Sequence, residues 1–184
     1  MKYTASIKHN DKTINRLYRT QYYTFDKTRI ILRFVTGLAL IIICVASSLP
    51  MWIKALLLLI GAWLVSSPDF PAQVIADKVL SSRKNNLPVM SYKFHEDYMM
   101  LSGEGSMNIE YKRFRILLED SEYYYMFINK DSACMIDKGT ITPHETEKFV
   151  AFIEDKTGLK FRRGKSLLAM NLQDLRNIFH DYQS

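Results

Sequence analysis

The sequence predicts an α+β protein in which an apolar helical hairpin precedes an antiparallel β meander with a helix at its C-terminal end. Three observations predict this architecture. Residues 30–65 form a nearly uncharged apolar stretch, the hydrophobic period changes to two from Val89 onward, and an amphipathic helix follows the alternating segments. The chain has 184 residues, which is enough for one ordinary domain with an appended segment.

The apolar stretch is long enough for two membrane-spanning helices. A spanning helix needs about 20 apolar residues, and residues 30–49 and 51–70 each supply that length on either side of Pro50. Proline interrupts a helix and restricts the residue before it, so a tight turn is expected here. Arg33 and Lys54 lie near the expected helix ends, where long charged side chains reach the polar interface.

A soluble hairpin buried in a larger core is the alternative interpretation of residues 30–70. The rest of the chain is too small to surround two helices that are apolar on all sides, so the sequence favours a transmembrane helical hairpin. Gly37 and Gly61 fall at nearly the same distance from Pro50 on opposite arms. Because small residues let helices approach closely in lipid, this pair is predicted to form a helix–helix contact.

Positive charge is concentrated at the outer ends of the hairpin. The formal net charge is +6, and residues 1–33 carry an excess of that size, whereas residues 69–184 are nearly neutral. Only Lys54 lies near the turn. The positive-inside rule therefore predicts a multi-pass protein of the cell membrane with both termini in the cytoplasm. A nucleic-acid-binding protein would carry such an excess on its folded domain, so no nucleic-acid partner is expected.

Two further segments flank the hairpin. Residues 3–7 alternate apolar and polar side chains, which predicts a strand, and Asn10 or Asp11 can cap the helix that follows. The aromatic and basic residues of this helix suit a membrane surface, and packing against the C-terminal domain explains them equally well. After the hairpin, Asp69 could cap a connecting helix over residues 71–84.

Short polar turns separate six predicted strands in the second half of the chain. These strands cover residues 89–94, 98–101, 107–111, 114–119, 123–128 and 133–137. With the helix that follows, they point to a pleckstrin-homology-like (PH-like) antiparallel β-barrel or meander capped by a C-terminal helix. Such a domain usually has seven strands, and residues 3–7 could supply the missing one.

The closing helix has signals at both ends. The segment Thr142-Pro143-His144-Glu145 has the pattern of a capping box with proline at the first helical position. Gly158 fits the C-terminal cap.

The predicted organisation has five parts: an N-terminal cytoplasmic strand and helix, a transmembrane hairpin, a connecting helix, a PH-like domain, and a basic run with an amphipathic C-terminal helix. Their boundaries are residues 1–29, 30–70, 71–88, 89–158 and 159–184.

Several short patterns follow the hairpin in a recognisable order. Ile109-x-Tyr111 precedes a basic-to-aliphatic strand that ends at Glu119, then an acidic turn, an aromatic strand over residues 123–127, and an apolar strand that leads to Lys138. In this order, over roughly residues 1–158, the chain resembles the YcxB-like family of bacterial membrane proteins, although Asp137 stands where that family usually has proline. The resemblance implies a multi-pass membrane protein with a PH-like cytoplasmic domain. It implies no activity and no catalytic residues.

The last 26 residues look like an extension. A basic run surrounds Phe161, and apolar residues then recur at alternating spacings of four and three from Leu168 to Tyr182. This spacing predicts a short amphipathic helix with a coiled-coil-like seam. The helix could dock on the domain, pair with another chain or lie on the bilayer.

No arrangement of residues indicates catalysis, so an enzyme is not expected, and neither is a cofactor, a metal or a small-molecule substrate. The segment His95-Glu96-Asp97 lacks the second histidine of a zinc protease motif. Glu119, Asp120 and Glu122 could hold a cation, but a solvated acidic turn explains them more simply. The two cysteines have no neighbouring cysteine or histidine that would suggest a disulfide framework or a zinc site.

A protein-interaction or regulatory module held at the membrane is the function that the sequence favours. A PH-like sheet has an exposed edge and a groove beside its helix, which can accept a peptide strand. Residues 123–128 are apolar on both faces, so this strand either presents one face to a partner or is central and covered on both sides.

Two alternatives remain. In the first, the domain reads anionic lipid headgroups through basic residues, because each basic charge near an anionic leaflet contributes about 1 kcal/mol. The candidate residues are Lys112, Arg113, Arg115, Lys160, Arg162, Arg163 and Lys165. In the second, the protein is a self-assembling structural membrane protein. The expected partners are thus the lipid bilayer and either another protein or a second copy of the chain.

Overall fold

The computed structural model describes residues 1–83, 87–103 and 105–163 and shows an α+β protein, as predicted. Its helices are α1 Asp11–Phe25, α2 Lys27–Ala46, α3 Met51–Ser66, α4 Phe70–Ser82 and α5 Thr146–Thr157. Its strands are β1 Tyr3–Lys8, β2 Val89–Phe94, β3 Tyr98–Ser102, β4 Ser106–Glu110, β5 Ile116–Glu119, β6 Tyr123–Asn129, β7 Ser132–Asp137 and β8 Phe161–Arg163. The amphipathic helix predicted from Leu168 to Tyr182 lies outside the described residues.

The strands form two four-stranded sheets. The first has the order β1-β2-β3-β4 and the second has the order β7-β6-β5-β8. All six strands predicted after the hairpin are present, and β1 pairs antiparallel with β2, with Tyr3 opposite Phe94. Thr4 of β1 exchanges two backbone hydrogen bonds of 2.8 Å with Thr142, which follows β7 in the sequence, but the two sheets do not join into a closed barrel.

The main core lies between the two sheets and is closed by α5. Phe149 of α5 is fully buried, and its ring packs edge-on against Tyr3 and Phe94 at 5.3 and 5.0 Å between centroids. It also contacts Tyr124 of the second sheet at 5.7 Å. A single aromatic side chain thus joins both sheets to the helix, as expected when apolar faces of different layers share one core.

Helix α1 is packed between the second sheet and α4. Its Phe25 contacts Phe127 of β6 with ring centroids 5.4 Å apart. On its other side, Ile14 is buried with Ala76 and Leu80 of α4. Of the two interpretations of this helix, packing against the C-terminal domain is therefore the one that the structure shows.

The apolar stretch forms two helices that pack against each other, with bounds that differ from the predicted ones. The first helix, α2, begins at Lys27 rather than at residue 30 and ends at Ala46 rather than at residue 49. The second, α3, ends at Ser66 rather than at residue 70, because the chain breaks before Pro68 and bends by 70° into α4. By length and composition, α2 alone could cross a membrane, and a second crossing is possible only if α3 and α4 are counted as one bent span.

Two predicted helix starts differ from the structure. The capping box at Thr142 is wrong, since α5 begins at Thr146 without a side-chain cap, and the backbone of Thr142 pairs with β1 instead. Asp69 is at the N-cap of α4 but makes no capping hydrogen bond, because its carboxylate pairs with Arg19 at 3.0 Å.

The expected cap at Asn10 is confirmed and forms a reciprocal capping box with Thr13. Gly158 is confirmed as the left-handed C-cap of α5, with φ 69°.

Candidate functional site at the edge of the second sheet

The most distinctive feature of the second sheet is the strand that covers its edge. Strand β5 pairs antiparallel with β6 on one side and parallel with β8 on the other. The register of the parallel pair places Phe161 opposite Leu117 and Arg163 opposite Glu119. The chain leaves α5 through the left-handed turn at Gly158 and lies down directly along β5. The edge beside α5 thus holds an extended segment of the same chain.

Glu154 of α5 fixes the start of β8. One oxygen of its carboxylate accepts a hydrogen bond of 2.8 Å from the backbone N–H of Phe161. The other accepts 2.7 Å from Nζ of Lys160. These bonds, from Lys160 first and from the Phe161 backbone second, hold the pKa of Glu154 below its ordinary value. Helix α5 therefore both borders the edge and anchors the segment that lies on it.

Phe161 anchors β8 through apolar contact. Its ring lies 4.8 Å from the ring of Tyr124, which is almost fully buried, and it packs against the main core. The following Arg162 and Arg163 are exposed. Strand β8 therefore attaches by one aromatic side chain, a few backbone hydrogen bonds and one carboxylate, and it presents two guanidinium groups to solvent.

The predicted basic residues lie along this edge. Lys112 and Arg113 are exposed in a short 3-10 turn before β5, and the exposed Arg115 stands just ahead of the strand. Because β5 and β8 run parallel, Arg115 and Lys160 lie at the same end of the pair. The structure thus places both basic runs at one sheet edge, although Lys160 is paired with Glu154. Lys165 lies outside the described residues.

The other predicted contact lies in the hairpin. Gly37 and Gly61 are both buried and face each other across α2 and α3.

The strand with two apolar faces is central. Tyr124 packs on the α5 side, where its ring lies 5.7 Å from that of Phe149. Phe127 packs on the opposite side against Phe25 of α1. Tyr124, Tyr125, Met126 and Phe127 are each at most 1% exposed. Strand β6 therefore offers no face to a partner, and any binding by this sheet has to use its edge or the surface of its helix.

The acidic residues near the β5–β6 turn are paired with cations. Glu119 bonds to Lys138 at 2.9 Å, and Asp120 accepts 2.9 Å from Nε of Arg16, which also bonds to Glu122. Burial acts to raise the pKa of Asp120, but hydrogen bonds from the Tyr125 hydroxyl and two backbone N–H groups, with the charge of Arg16, hold it below its ordinary value. Within the described part of the chain, no group of side chains is arranged to hold a metal ion.

Sequence reasoning missed Glu154 and the strand character of Phe161–Arg163. A three-residue basic segment has no detectable period, so only the free edge of β5 and the acceptor on α5 make it a strand. The sequence does place an acidic residue, Glu154, six residues before the basic Lys160, which is compatible with an ion pair. Nothing local predicted their pairing across the helix end.

Comparison with known proteins identifies one region of the chain. Residues 94–153, from the end of β2 to α5, match the family described as YcxB-like protein. This match confirms the predicted resemblance over a shorter range than residues 1–158. No curated protein and no solved structure matches the chain.

Proposed function

Since residues 94–153 match the YcxB-like protein family, we propose that the chain is a membrane-anchored protein-interaction module. In this proposal the α2–α3 hairpin enters the cell membrane, a PH-like domain lies on its cytoplasmic side, and the edge of the second sheet binds an extended segment of a partner. The module acts by binding and performs no reaction.

The exposure of α2 supports the membrane anchor. Only 17% of its 18-residue apolar segment is buried by the rest of the protein, whereas the core helix of a soluble domain is mostly buried. The exposed apolar side chains include Leu32, Ile42 and Val45 on α2, and Leu59 on α3. Such a surface on two adjacent helices is costly in water and suits lipid.

The pairing of β1 with β2 supports the proposed topology. Strand β1 precedes the hairpin and β2 follows it, and six residue pairs join them in one sheet. Both ends of the hairpin must therefore lie on the same side of any membrane that it enters. The excess of basic residues in residues 1–33 favours the cytoplasm for that side.

The arrangement of strands supports a PH-like domain. Strands β1 to β4 form one sheet, β5 to β7 form three strands of the other, and α5 closes the space between them. The strand at residues 3–7 takes the first position in this sheet, so the domain includes segments from both sides of the hairpin in the sequence. Strand β8 is an addition to this set of seven.

The capture of β8 is the observation that carries the interaction proposal. The edge of β5 already accepts an extended segment in parallel register and holds its aromatic side chain against Tyr124. Edge strands that bind one extended segment can bind another through the same backbone groups, and a pocket for alternate side chains provides specificity. A partner strand with an aromatic residue could replace β8 on β5.

A competition experiment on the full-length protein in nanodiscs tests this proposal. The probe is a labelled peptide with the sequence of residues 158–163, and the variant Phe161→Ala removes the aromatic contact of the strand already in place. We expect the variant to bind the peptide more tightly than the unaltered protein, because less of the edge is occupied. Arg162→Ala, which changes an exposed side chain of the same strand, is the matched control. Absence of peptide binding to Phe161→Ala would contradict the proposal.

The exposed basic residues favour one alternative function, the recognition of anionic lipid headgroups. Lys112, Arg113 and Arg115 lie at the same edge as Arg162 and Arg163, and none of these five has a carboxylate partner among the described residues. Amide exchange in nanodiscs with and without anionic lipid distinguishes the two functions. Lipid recognition predicts slower exchange over residues 111–115 in anionic nanodiscs, and the double change Lys112→Glu and Arg113→Glu should abolish that effect. Strand recognition predicts no dependence on lipid.

A further inference from the structure

Two buried polar atoms lie without hydrogen-bond partners at the base of the hairpin. The hydroxyl of Tyr22, in the last turn of α1, is one, and Nε of Arg33, in the second turn of α2, is the other. Tyr22 is only 5% exposed and packs with Ile30 and Ala72. Buried donors without an acceptor are costly, so each calls for a ligand, a water or an ion that satisfies it.

Arg33 is held in place but lacks an anionic partner. Its guanidinium group lies over the ring of Trp63 at 5.3 Å from the centroid. Its Nη2 makes a long contact of 3.4 Å with the backbone oxygen of Ser67, at the break between α3 and α4. No carboxylate of the described residues pairs with it. Its Nε has no acceptor among these residues, and a guanidinium group with an unpaired donor is suited to contact with a phosphate or a carboxylate.

The carboxylates nearby are already used. Asp26 pairs with Arg29 at 3.5 Å, and the mostly buried Asp69 pairs with Arg19 at 3.0 Å. Burial raises the pKa of Tyr22, while Arg33 lies close enough for its charge to act in the opposite direction. The Tyr22 hydroxyl therefore keeps its proton at neutral pH and can donate it to an anion.

These groups lie where the hairpin would leave the hydrocarbon. Trp63 and Phe70, on either side of the break, pack edge-on with ring centroids 5.2 Å apart. Tryptophan is typical of the headgroup level. Leu32 and Phe34, on either side of Arg33 in the sequence, are exposed. A ligand at Arg33 could thus place its apolar part against exposed apolar side chains and its charge against the guanidinium group.

We propose that Arg33 and Tyr22 form a binding site for the phosphate of an anionic phospholipid headgroup at the cytoplasmic end of the hairpin. The Arg33 guanidinium group donates to the phosphate, and the Tyr22 hydroxyl is a second donor to it. The proposal rests on the membrane hairpin but not on strand binding at β5. It also differs from headgroup recognition by the basic sheet edge, because it uses residues near the end of α1 and the start of α2.

The test measures which lipid the purified full-length protein retains. The protein is placed in nanodiscs of phosphatidylcholine with or without phosphatidylglycerol, and thermal unfolding and bound lipid by native mass spectrometry are recorded. We expect phosphatidylglycerol to raise the unfolding midpoint and to remain bound at one molecule per chain. Arg33→Gln should weaken its binding about tenfold, the effect of losing a charge-assisted hydrogen bond. Tyr22→Phe should weaken it without lowering the midpoint in phosphatidylcholine alone, because that change removes an unpartnered hydroxyl.

Arg29→Gln is the matched control, since it removes an exposed cation from the same region. If it weakens phosphatidylglycerol binding as much as Arg33→Gln does, the attraction is a diffuse charge effect and the site is overturned. If inorganic phosphate in phosphatidylcholine nanodiscs reproduces the stabilisation, the source is free phosphate and the lipid proposal is overturned. If Tyr22→Phe behaves like the unaltered protein in both lipids, a water satisfies its hydroxyl and the proposed site is also overturned. Alkaline extraction of membranes reports on the hairpin separately, so failure of the anchor is distinguishable from failure of the site.

Discussion

Gly37 and Gly61 lie directly against each other, such that a Cβ atom on either would stand 2.9 Å from the carbonyl oxygen of the other. The neighbouring contacts are equally close, since a Cβ at Gly37 would also meet Val65 at 2.8 Å. At these distances the two helix backbones have no room for a methyl group. The close approach of α2 and α3 therefore depends on glycine at both positions.

We expect Gly61→Ala to separate α2 from α3 and to destabilise the hairpin. Overpacking a close contact costs about 1–3 kcal/mol, and the backbone oxygen of Gly37 cannot rotate away as a side chain would. The measurement is the midpoint of thermal unfolding in detergent. Ala62→Val adds apolar bulk at an exposed position of the same helix and is expected to leave the midpoint nearly unchanged. Equal midpoints for both variants would contradict a tight glycine contact.

We expect Arg16→Ala to weaken the attachment of α1 to the second sheet. Arg16 bonds to Asp120 and Glu122, and it also lies over the ring of Tyr123 at 4.9 Å. Hydrogen bonds to charged groups contribute about 1.5–3 kcal/mol, and partial exposure places the expected loss in the lower part of that range. Chemical denaturation measures it. Arg29→Ala breaks an exposed pair of 3.5 Å, and its cost should stay below about 1 kcal/mol.

We expect the contribution of Asp120 to the free energy of unfolding to be lost in acid. Its pKa in the folded protein is below the ordinary value of about 4 for the unfolded chain. The unfolded state therefore binds more protons in this range, so the contribution is complete above the unfolded pKa and is lost as pH falls through the folded pKa. Unfolding midpoints between pH 7 and pH 3 should fall less steeply for Asp120→Asn than for the unaltered protein. Parallel curves for the two proteins would contradict this assignment.

Removing the acceptor on α5 should release β8. In Glu154→Ala, the backbone N–H of Phe161 and Nζ of Lys160 both lose their partner. We expect faster amide exchange over residues 159–163 with little change in the strands of the first sheet. Glu154→Gln keeps one acceptor oxygen and should give an intermediate rate. Glu147→Ala, an exposed change in the first turn of the same helix, is the control.

Much of the fold could be predicted because the signals are local. Alternation of apolar and polar residues marks β2 to β7, and the polar turns between them contain the residues that such turns require. The cap at Asn10 and the left-handed Gly158 also depend only on neighbouring residues. The break after α3 is harder to predict, since Ser66-Ser67-Pro68 directly follows the uncharged apolar residues 55–65.

The remaining features depend on contacts between distant parts of the chain. Thr142 reads as a helix cap, but its backbone bonds to Thr4, so the helix starts later. Arg16 reads as part of the basic flank of a membrane segment, but it is the partner of Asp120, 104 residues away. The candidate site at the sheet edge likewise depends on a distant contact, because Phe161 is a strand residue only through its pairing with β5.

The most direct test of the membrane-anchored module is the accessibility of the hairpin turn and of the N-terminal strand in whole cells. Single-cysteine variants Ser48→Cys and Lys8→Cys, made in a chain with Cys44 and Cys134 replaced by alanine, are treated with a membrane-impermeant maleimide. The proposed topology predicts that Ser48→Cys is labelled in intact cells and that Lys8→Cys is labelled only after the membrane is opened. Protection of both positions in intact cells would contradict a hairpin that crosses the membrane.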